Sequence, residues 1–261
     1  VVESSKSTVQ SVGKAFAVLR SFRAETPELT ISEVASSAGL DRGTAFRLIH
    51  TMVDLGYLAA VPGTRRFWLT LKCLELGYSA LAAGGLQRQS RPVLQGLVPD
   101  IADAASLGML DGPDVVYLER IQADLGRQAP DRRAGSRTGA YAAALGHAIL
   151  AWQPPDHARQ IMQSGERIPL SGATLTDLDQ LCARLAEVRA RGYAISDGEN
   201  AFGLRTVAAP IFWPDGTVRA AISLTVQTVR QELDGFVAAA VPPLLQATRA
   251  LSGAVRLSAA A

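Results

Sequence analysis

Arg42, Gly43, Thr44, Arg47, His50 and Thr51 fall on one side of a helical wheel, with Phe46 beside them. Guanidinium, imidazole and hydroxyl groups spaced this way, with a small residue near the helix start, suit the base edges of a duplex groove. Two more cations, Arg65 and Arg66, stand at the tip of the turn Pro62-Gly63-Thr64-Arg65-Arg66, placed for the phosphate backbone or the minor groove. From Arg42 to Lys72 five Lys/Arg face one acid, Asp54, whereas the whole chain carries 26 basic and 24 acidic residues. The excess is a local patch, and its sign attracts phosphate. Phe46 is either a thymine-methyl contact or partly buried support.

A second polar group lies far along the chain. Ser223 and Thr225 are two apart in an extended stretch, so both hydroxyls point to one face. Arg132, Arg133 and Arg137 offer a bidentate clamp for a carboxylate, or stand as solvated loop residues. Nothing assembles into a catalytic set. The three histidines, His50, His147 and His157, have no nucleophile elbow before them, and Cys182 falls in a core-patterned helix. Asp197 and Glu199 have no second acid pair or metal spacing beside them, and Gly108 to Gly112 lacks the Lys-Ser/Thr of a phosphate loop. Two cysteines, Cys73 and Cys182, make neither a disulfide framework nor a thiolate metal site. We expect no enzyme, metal or cofactor.

The elements that would position these residues follow from local signals. Thr30 caps a helix, Glu33 completes the capping box, and Leu29 and Val34 occupy the two staple positions. Gly39 is a left-handed stop and Leu40 plugs the turn. Asp41 caps a second helix with Ala45, Leu48, Ile49, Met52 and Val53 on its buried side. Two short helices joined by a glycine turn lay the second one in a major groove. Tyr57-Leu58 and Phe67-Trp68-Leu69 flank the basic turn as a hairpin wing. A solvated amphipathic helical hairpin would lack this agreement of cap, turn, stripe and wing. An earlier helix, with Val12, Ala15, Phe16, Leu19 and Phe22 on one side, packs beneath.

Length predicts about two domains. We expect a winged domain over 8–70, a linker helix over 71–85 that Gly84-Gly85 ends, and a second domain over 86–255. Its pattern is a helix from Arg91 to about Ala105, then a hairpin of Ser106–Leu110 and Val115–Ile121. A polar stretch from Gly126 to Arg137 follows, and helices over Ala140–Trp152 and Thr176–Arg191. A second hairpin joins Thr206–Trp213 to Thr217–Val226, and a closing helix runs over Gln231–Leu251. Strands and helices segregated this way predict an α+β fold, with helices packed on an antiparallel sheet. No signal-type run or bilayer-spanning segment is present, so the chain is expected to be cytoplasmic.

With these elements in place the chain resembles the IclR family of bacterial transcription regulators along nearly its whole length. The N-terminal likeness is carried by Val12-Gly13-Lys14-Ala15 and LTISEVASSAGLDRGTAFRLIHTMVDLGYL with its basic wing. The C-terminal likeness is carried by GSRTGAYAAALGHAILA, by Gly192-Tyr193 before SDGENAFGLRTVAAPIF, and by AAISLT. The resemblance implies a GAF/PAS-like effector domain and dimers that pair through the winged domains, often assembled into tetramers, on pseudo-palindromic operators. It places Ala144 and Leu145 at a helix start, Ser196, Asp197, Thr206, Ser223 and Thr225 around an effector cavity. Departures from the family pattern occur at Ser196, where an acid is frequent, Thr206, where a cysteine can occur, His147, where Lys or Arg is usual, and Gly139, where proline is common. Within the family the chain looks most like regulators of aromatic-acid catabolism of the protocatechuate type, so a small aromatic or keto acid is the expected effector. The alternative is a C-terminal domain that only oligomerises. An enclosed, partly polar pocket beneath Ser223 and Thr225 favours the sensor, and a close-packed sheet favours the other.

Overall fold

Helix caps and strand alternation account for most of the architecture, seen in a computed structural model that describes residues 9–82, 85–123 and 132–259. The polar run from Gly126 to Asp131, Gly84 of the glycine pair and the opening residues up to Thr8 lie outside them. The chain divides into two units between Ala80 and Leu81.

The first unit begins with α1 (Gln10–Arg20), β1 (Glu28–Thr30), α2 (Ile31–Ala38) and α3 (Arg42–Asp54). Thr30 and Glu33 close the capping box on α2, and Gly39 turns left-handed at φ 64°. Asp41 caps α3 by accepting from the Thr44 amide at 2.9 Å. Val34, Ala45, Ile49 and Met52 are buried, with Leu48 and Val53 partly so around the same core. Along α1 and just beyond it the buried side is Val18 and Phe22, flanked by Ala15 and Leu19, whereas Val12 and Phe16 are half exposed. The helix carries two apolar stripes and the small core takes only one, which corrects the single stripe expected.

The wing has three strands rather than two. β1, β2 (Leu58–Ala60) and β3 (Arg66–Leu69) pair in the order β1-β3-β2. The short β1 was not expected, because Glu28-Leu29-Thr30 reads as the lead-in to a helix. Arg66 is the first residue of β3, not part of the tip. α4 (Cys73–Ala82) follows.

The second unit opens with α5 (Leu86–Gln95), earlier than the helix expected from Arg91 to Ala105. Gly96 ends it, and the run from Ala104 alternates between two cores and so forms a strand. β4 (Ala104–Asp111) and β5 (Asp114–Gln122) form the expected hairpin, longer at both ends, and β6 (Arg137–Gly139) adds an edge. α6 spans only Ala144–Leu150, since Ala143 is extended at its cap and residues 140–143 fold back against it. α7 (Pro155–Ser164) is new: proline at the first helical position starts a helix in a stretch to which no element had been assigned. α8 (Leu178–Arg191) begins after the Asp177 cap and stops at Gly192. β7 (Ala194–Asp197), β8 (Leu204–Phe212) and β9 (Val218–Gln227) precede α9 (Leu233–Ala259), which runs through Pro242 and Pro243.

The six strands are antiparallel throughout, in the order β6-β5-β4-β9-β8-β7. One sheet face packs its Leu107, Val207, Ile222 and Leu224 with α5 and α9. The other meets α6 and α8 through smaller residues such as Ala194, Ala208 and Ala221. α6 lies tight on this layer because of Gly146: a Cβ there would stand 2.1 Å from the Ala140 carbonyl oxygen.

Gly146→Ala should therefore cost about 1–3 kcal/mol through overpacking against backbone, read as a lower urea midpoint. Gly13→Ala in α1, where a Cβ meets nothing within 4 Å, should leave stability equal or higher. Equal stability for both variants would mean that α6 does not lie where the structure has it.

Candidate functional site

The start of α3 is open to solvent. Arg42, Gly43, Arg47 and His50 are exposed, and Thr44 is half-buried. Neither guanidinium folds back on the unit: Arg47 reaches only Thr44 Oγ1 at 3.4 Å, and Arg42 has no ion pair among the described residues. Phe46 is 49% exposed and stacks on His50 with ring centroids 4.2 Å apart. His50 in turn meets the edge of Phe67 in the wing at 6.0 Å. The Asp41 carboxyl is held below its ordinary range by the Thr44 hydroxyl and amide, with Arg47 adding to the effect.

The two wing arginines part company. Arg65 is exposed in the turn. Arg66 donates to both carboxylate oxygens of Glu33, at 3.2 and 3.4 Å, and to the Glu28 carbonyl at 2.8 Å. Of the two cations expected at the tip, Arg65 has no ion pair among the described residues, and Arg66 stands in β3 as a brace. Glu33 also accepts from the Thr30 amide at 2.7 Å. That amide is the main reason its carboxyl sits below the usual range, with the Thr30 hydroxyl and then Arg66 adding to it.

In the second unit a small cavity of about 40 Å³ lies between the sheet and the start of α6. Of the expected residues, Ala144, Leu145, Ser196, Thr206, Ser223 and Thr225 all line it. Cross-strand register explains their convergence: Ser196 faces Thr206, which faces Thr225, and Ser223 pairs with Ser106. The Thr206 and Thr225 hydroxyls are 3.0 Å apart. Asp197 is the exception. As the neighbour of inward Ser196 it turns outward and pairs with Arg205 at 3.0 Å.

Among the three loop arginines only Arg132 reaches this cavity. It donates to Asn200 Oδ1 at 3.1 Å, and its guanidinium carbon lies 5.4 Å from the centre of the Tyr117 ring. Arg137 is tied to Asp111 at 2.7 Å and Asp114 at 3.1 Å on the sheet edge. Arg133 is exposed, with its amide on Ser136 Oγ.

Tyr117, Arg120 and Asn200 were not foreseen. Tyr117 and Arg120 are three apart and should point to opposite faces, yet Tyr117 pairs with Gly108 and Arg120 with Ser106 on the same face. The irregularity between Leu107 and Gly108 leaves an extra residue on β5 that resets the alternation. Arg120 donates to Ser106 Oγ at 2.8 Å.

Behind the cavity His147 is fully buried in α6. Its Nε2 lies 2.6 Å from the Tyr141 carbonyl oxygen, so that nitrogen carries the hydrogen and Nδ1 is a bare acceptor with no partner. Glu199 Oε1 takes Arg184 at 2.8 Å, while its buried Oε2 has no partner. Burial pushes the His147 proton affinity down. Glu199 opposes that push, and Arg184 and Arg191 reinforce it. No group of residues suited to holding a metal occurs among the described residues.

The first unit exposes a capped, cationic helix start and the second encloses a small polar cavity, which is the two-part layout of a transcription regulator. Comparison with known proteins specifies which. Residues 11–62 match the IclR helix-turn-helix domain, and residues 78–253 match the bacterial transcriptional regulator IclR C-terminal domain. The chain is 30% identical over 247 residues to XynR of Escherichia coli, covering 95% of this chain and 97% of that one. It is 29% identical over 241 residues to the Pca regulon regulatory protein of Pseudomonas putida, covering 92% and 82%. A solved transcriptional regulator from Rhodococcus sp. RHA1 superposes with a TM-score of 0.81 at 33% identity, covering 94% and 98%. An IclR homolog from Microbacterium hydrocarbonoxydans, solved with 4-hydroxybenzoate, shares the fold with a TM-score of 0.80 at 22% identity, covering 94% and 98%. This protein belongs to the IclR family: it is a DNA-binding regulator with a C-terminal effector-binding domain, not an enzyme. No described helix is long and apolar enough to cross a membrane.

The buried histidine sets a pH dependence. His147 binds a proton near 6.5 when unfolded and only below that value when folded, so unfolding takes up a proton in this window. Stability present above 6.5 is then lost as pH falls. Urea midpoints should drop between about pH 7.5 and about pH 5.5, and His147→Gln should flatten that drop. A parent chain equally stable at both ends would refute a buried neutral imidazole.

Proposed function

We propose that this regulator reads a pseudo-palindromic operator through α3 and responds to a small organic acid held beside Ser223 and Thr225. Arg42, Gly43, Thr44, Phe46, Arg47 and His50 face the bases and nearby phosphates, and Arg65 adds a contact from the wing. The observation that carries this is the solvent exposure of Arg42 and Arg47 at the capped start of α3. Arg66 is assigned to holding the wing through Glu33, and would meet phosphate only by giving up that partner. Paired protomers would set two recognition helices about 34 Å apart on the duplex. Exposed Val12 and Phe16 on α1, with Leu71, Leu74 and Tyr78 near and on α4, are the apolar surface that supports pairing through the winged units.

For the effector, the hydroxyl row supplies hydrogen bonds and Arg132 a bidentate partner for a carboxylate. The volume matters here. At about 10–15 Å³ per water, the 40 Å³ cavity has room for a few waters and not for an aromatic ring. The acid therefore draws Arg132 off Asn200 and Tyr117 as it binds, which opens the space. A ligand shifts the DNA-binding arrangement only through unequal affinity for the two states, and α4 is the connection proposed to transmit that difference. The tight cavity also favours a second reading, in which the C-terminal domain only assembles protomers.

Arg47→Ala should weaken operator binding by about 1–3 kcal/mol at fixed salt if it reads a base, and Arg65→Ala should lower the salt slope by about one. Unchanged binding in either case removes that residue from the interface. A thermal-shift screen of keto, hydroxy and aromatic acids should yield at least one stabilising ligand, and Ser223→Leu should abolish its effect on DNA binding while operator affinity persists. If no acid stabilises the chain, the assembly-only reading takes its place.

A further inference from the structure

The far end of α6 borders a second hollow. Cys182, Leu185, Ala186 and Arg189 share one side of α8, at the spacing that stacks residues on a helix face. With Leu150 from the end of α6 and Ala158 from α7 they line a space of about 160 Å³. Leu150, Ala158 and Leu185 are buried and form an apolar floor, whereas Ala186 and Arg189 are exposed at the mouth. Such a floor suits a hydrocarbon better than water, which needs several polar partners. The hollow is distinct from the cavity at Ser223. That cavity meets the start of α6 at Ala144 and Leu145, and this one meets its end.

Arg189 gives the hollow its charge. It donates to the Ala151 carbonyl at 3.2 Å, and its guanidinium carbon lies 5.1 Å from the centre of the Trp152 ring. Those contacts hold the group at the mouth, and it has no ion pair among the described residues. Arg159 nearby differs: it pairs with Asp179 at 2.8 Å and donates to Cys182 Sγ at 3.7 Å. We propose that this hollow is a second ligand site for a monocarboxylate whose apolar body is the size of one ring. The ring lies on the floor of Leu150, Ala158 and Leu185, and the carboxylate meets Arg189. Size agrees, since an apolar cavity of about 150 Å³ takes up benzene. Charge agrees too, because a planar guanidinium binds a carboxylate through two parallel hydrogen bonds. A plain hydrocarbon would leave Arg189 unused, and a second carboxylate would be stranded on the apolar floor. Ser223, Thr225 and Arg132 take no part, so the site goes beyond the effector reading and does not depend on it.

Cys182 lines the hollow and so reports on it. Alkylation of the full-length chain by iodoacetamide, followed peptide by peptide, reads Cys182 against Cys73, which lies in the other unit. Benzoate at about ten times its half-protecting concentration should slow the Cys182 reaction about tenfold by mass action and leave Cys73 unchanged. Arg189→Gln should weaken protection by benzoate about tenfold and leave protection by benzyl alcohol as it was. Ala186→Trp, which covers the mouth from an exposed position, should remove protection by both. Each variant should keep the parent's circular dichroism. Ser223→Leu should be protected as the parent is, which separates this site from the effector cavity. A Cys182 rate that stays flat up to about 50 mM benzoate overturns the inference. So does equal benzoate protection in Arg189→Gln and parent, or protection that vanishes in Ser223→Leu.

Discussion

The period-two alternation of the central strands is the constraint on which the effector domain rests. In β9, Ile222, Leu224 and Val226 enter the core beneath α5 and α9, while Ala221, Ser223 and Thr225 face α6. A sheet buried on both faces normally reads as a continuous apolar run. Here one face is apolar and large, and the other is small or hydroxylated, so the space under α6 does not fill with side chains. Every buried hydroxyl on that face then needs a partner or a ligand. Thr206 and Thr225 satisfy each other, and Ser106 receives Arg120.

The winged unit depends on a different economy of interactions. Glu33 closes the cap of α2 and grips Arg66 of β3, so one carboxylate orients a helix and a strand together. The contact is exposed and adds little stability by itself. Its effect is geometric: it ties the start of α2 to the wing, and Arg65 is left beyond them in the turn. Asp41 does the corresponding service for α3 and leaves the start of that helix with its donors facing out. Arg66 rather than Arg65 becomes the brace because Glu33 lies within its reach.

Elements announced by a cap or a turn were legible from the amino acids alone. Thr30, Gly39, Asp41 and Gly192 each stand where the structure uses them, and the hairpin over Pro214-Asp215-Gly216 needed no tertiary information. Six residues of the cavity could be named beforehand from the family likeness, to which strand parity added that Ser223 and Thr225 share a face. What escaped depended on distant partners. β1 exists because β3 lies alongside it, Arg66 is a brace because Glu33 lies across the wing, and Asp197 is outward because Ser196 is committed inward. α6 is short because backbone at Ala140 presses on Gly146, which no local pattern discloses.

The extra residue in β5 has a consequence for anyone carrying roles between relatives. On either side of Leu118 the odd and even positions exchange sides of the sheet, so Tyr117 and Arg120 look inward together. An alignment that places a gap one position away would assign an inward task to an outward side chain, with no loss of score to warn of it. Along this strand, counting across from Ser106 and Gly108 is a safer ruler than counting along the chain.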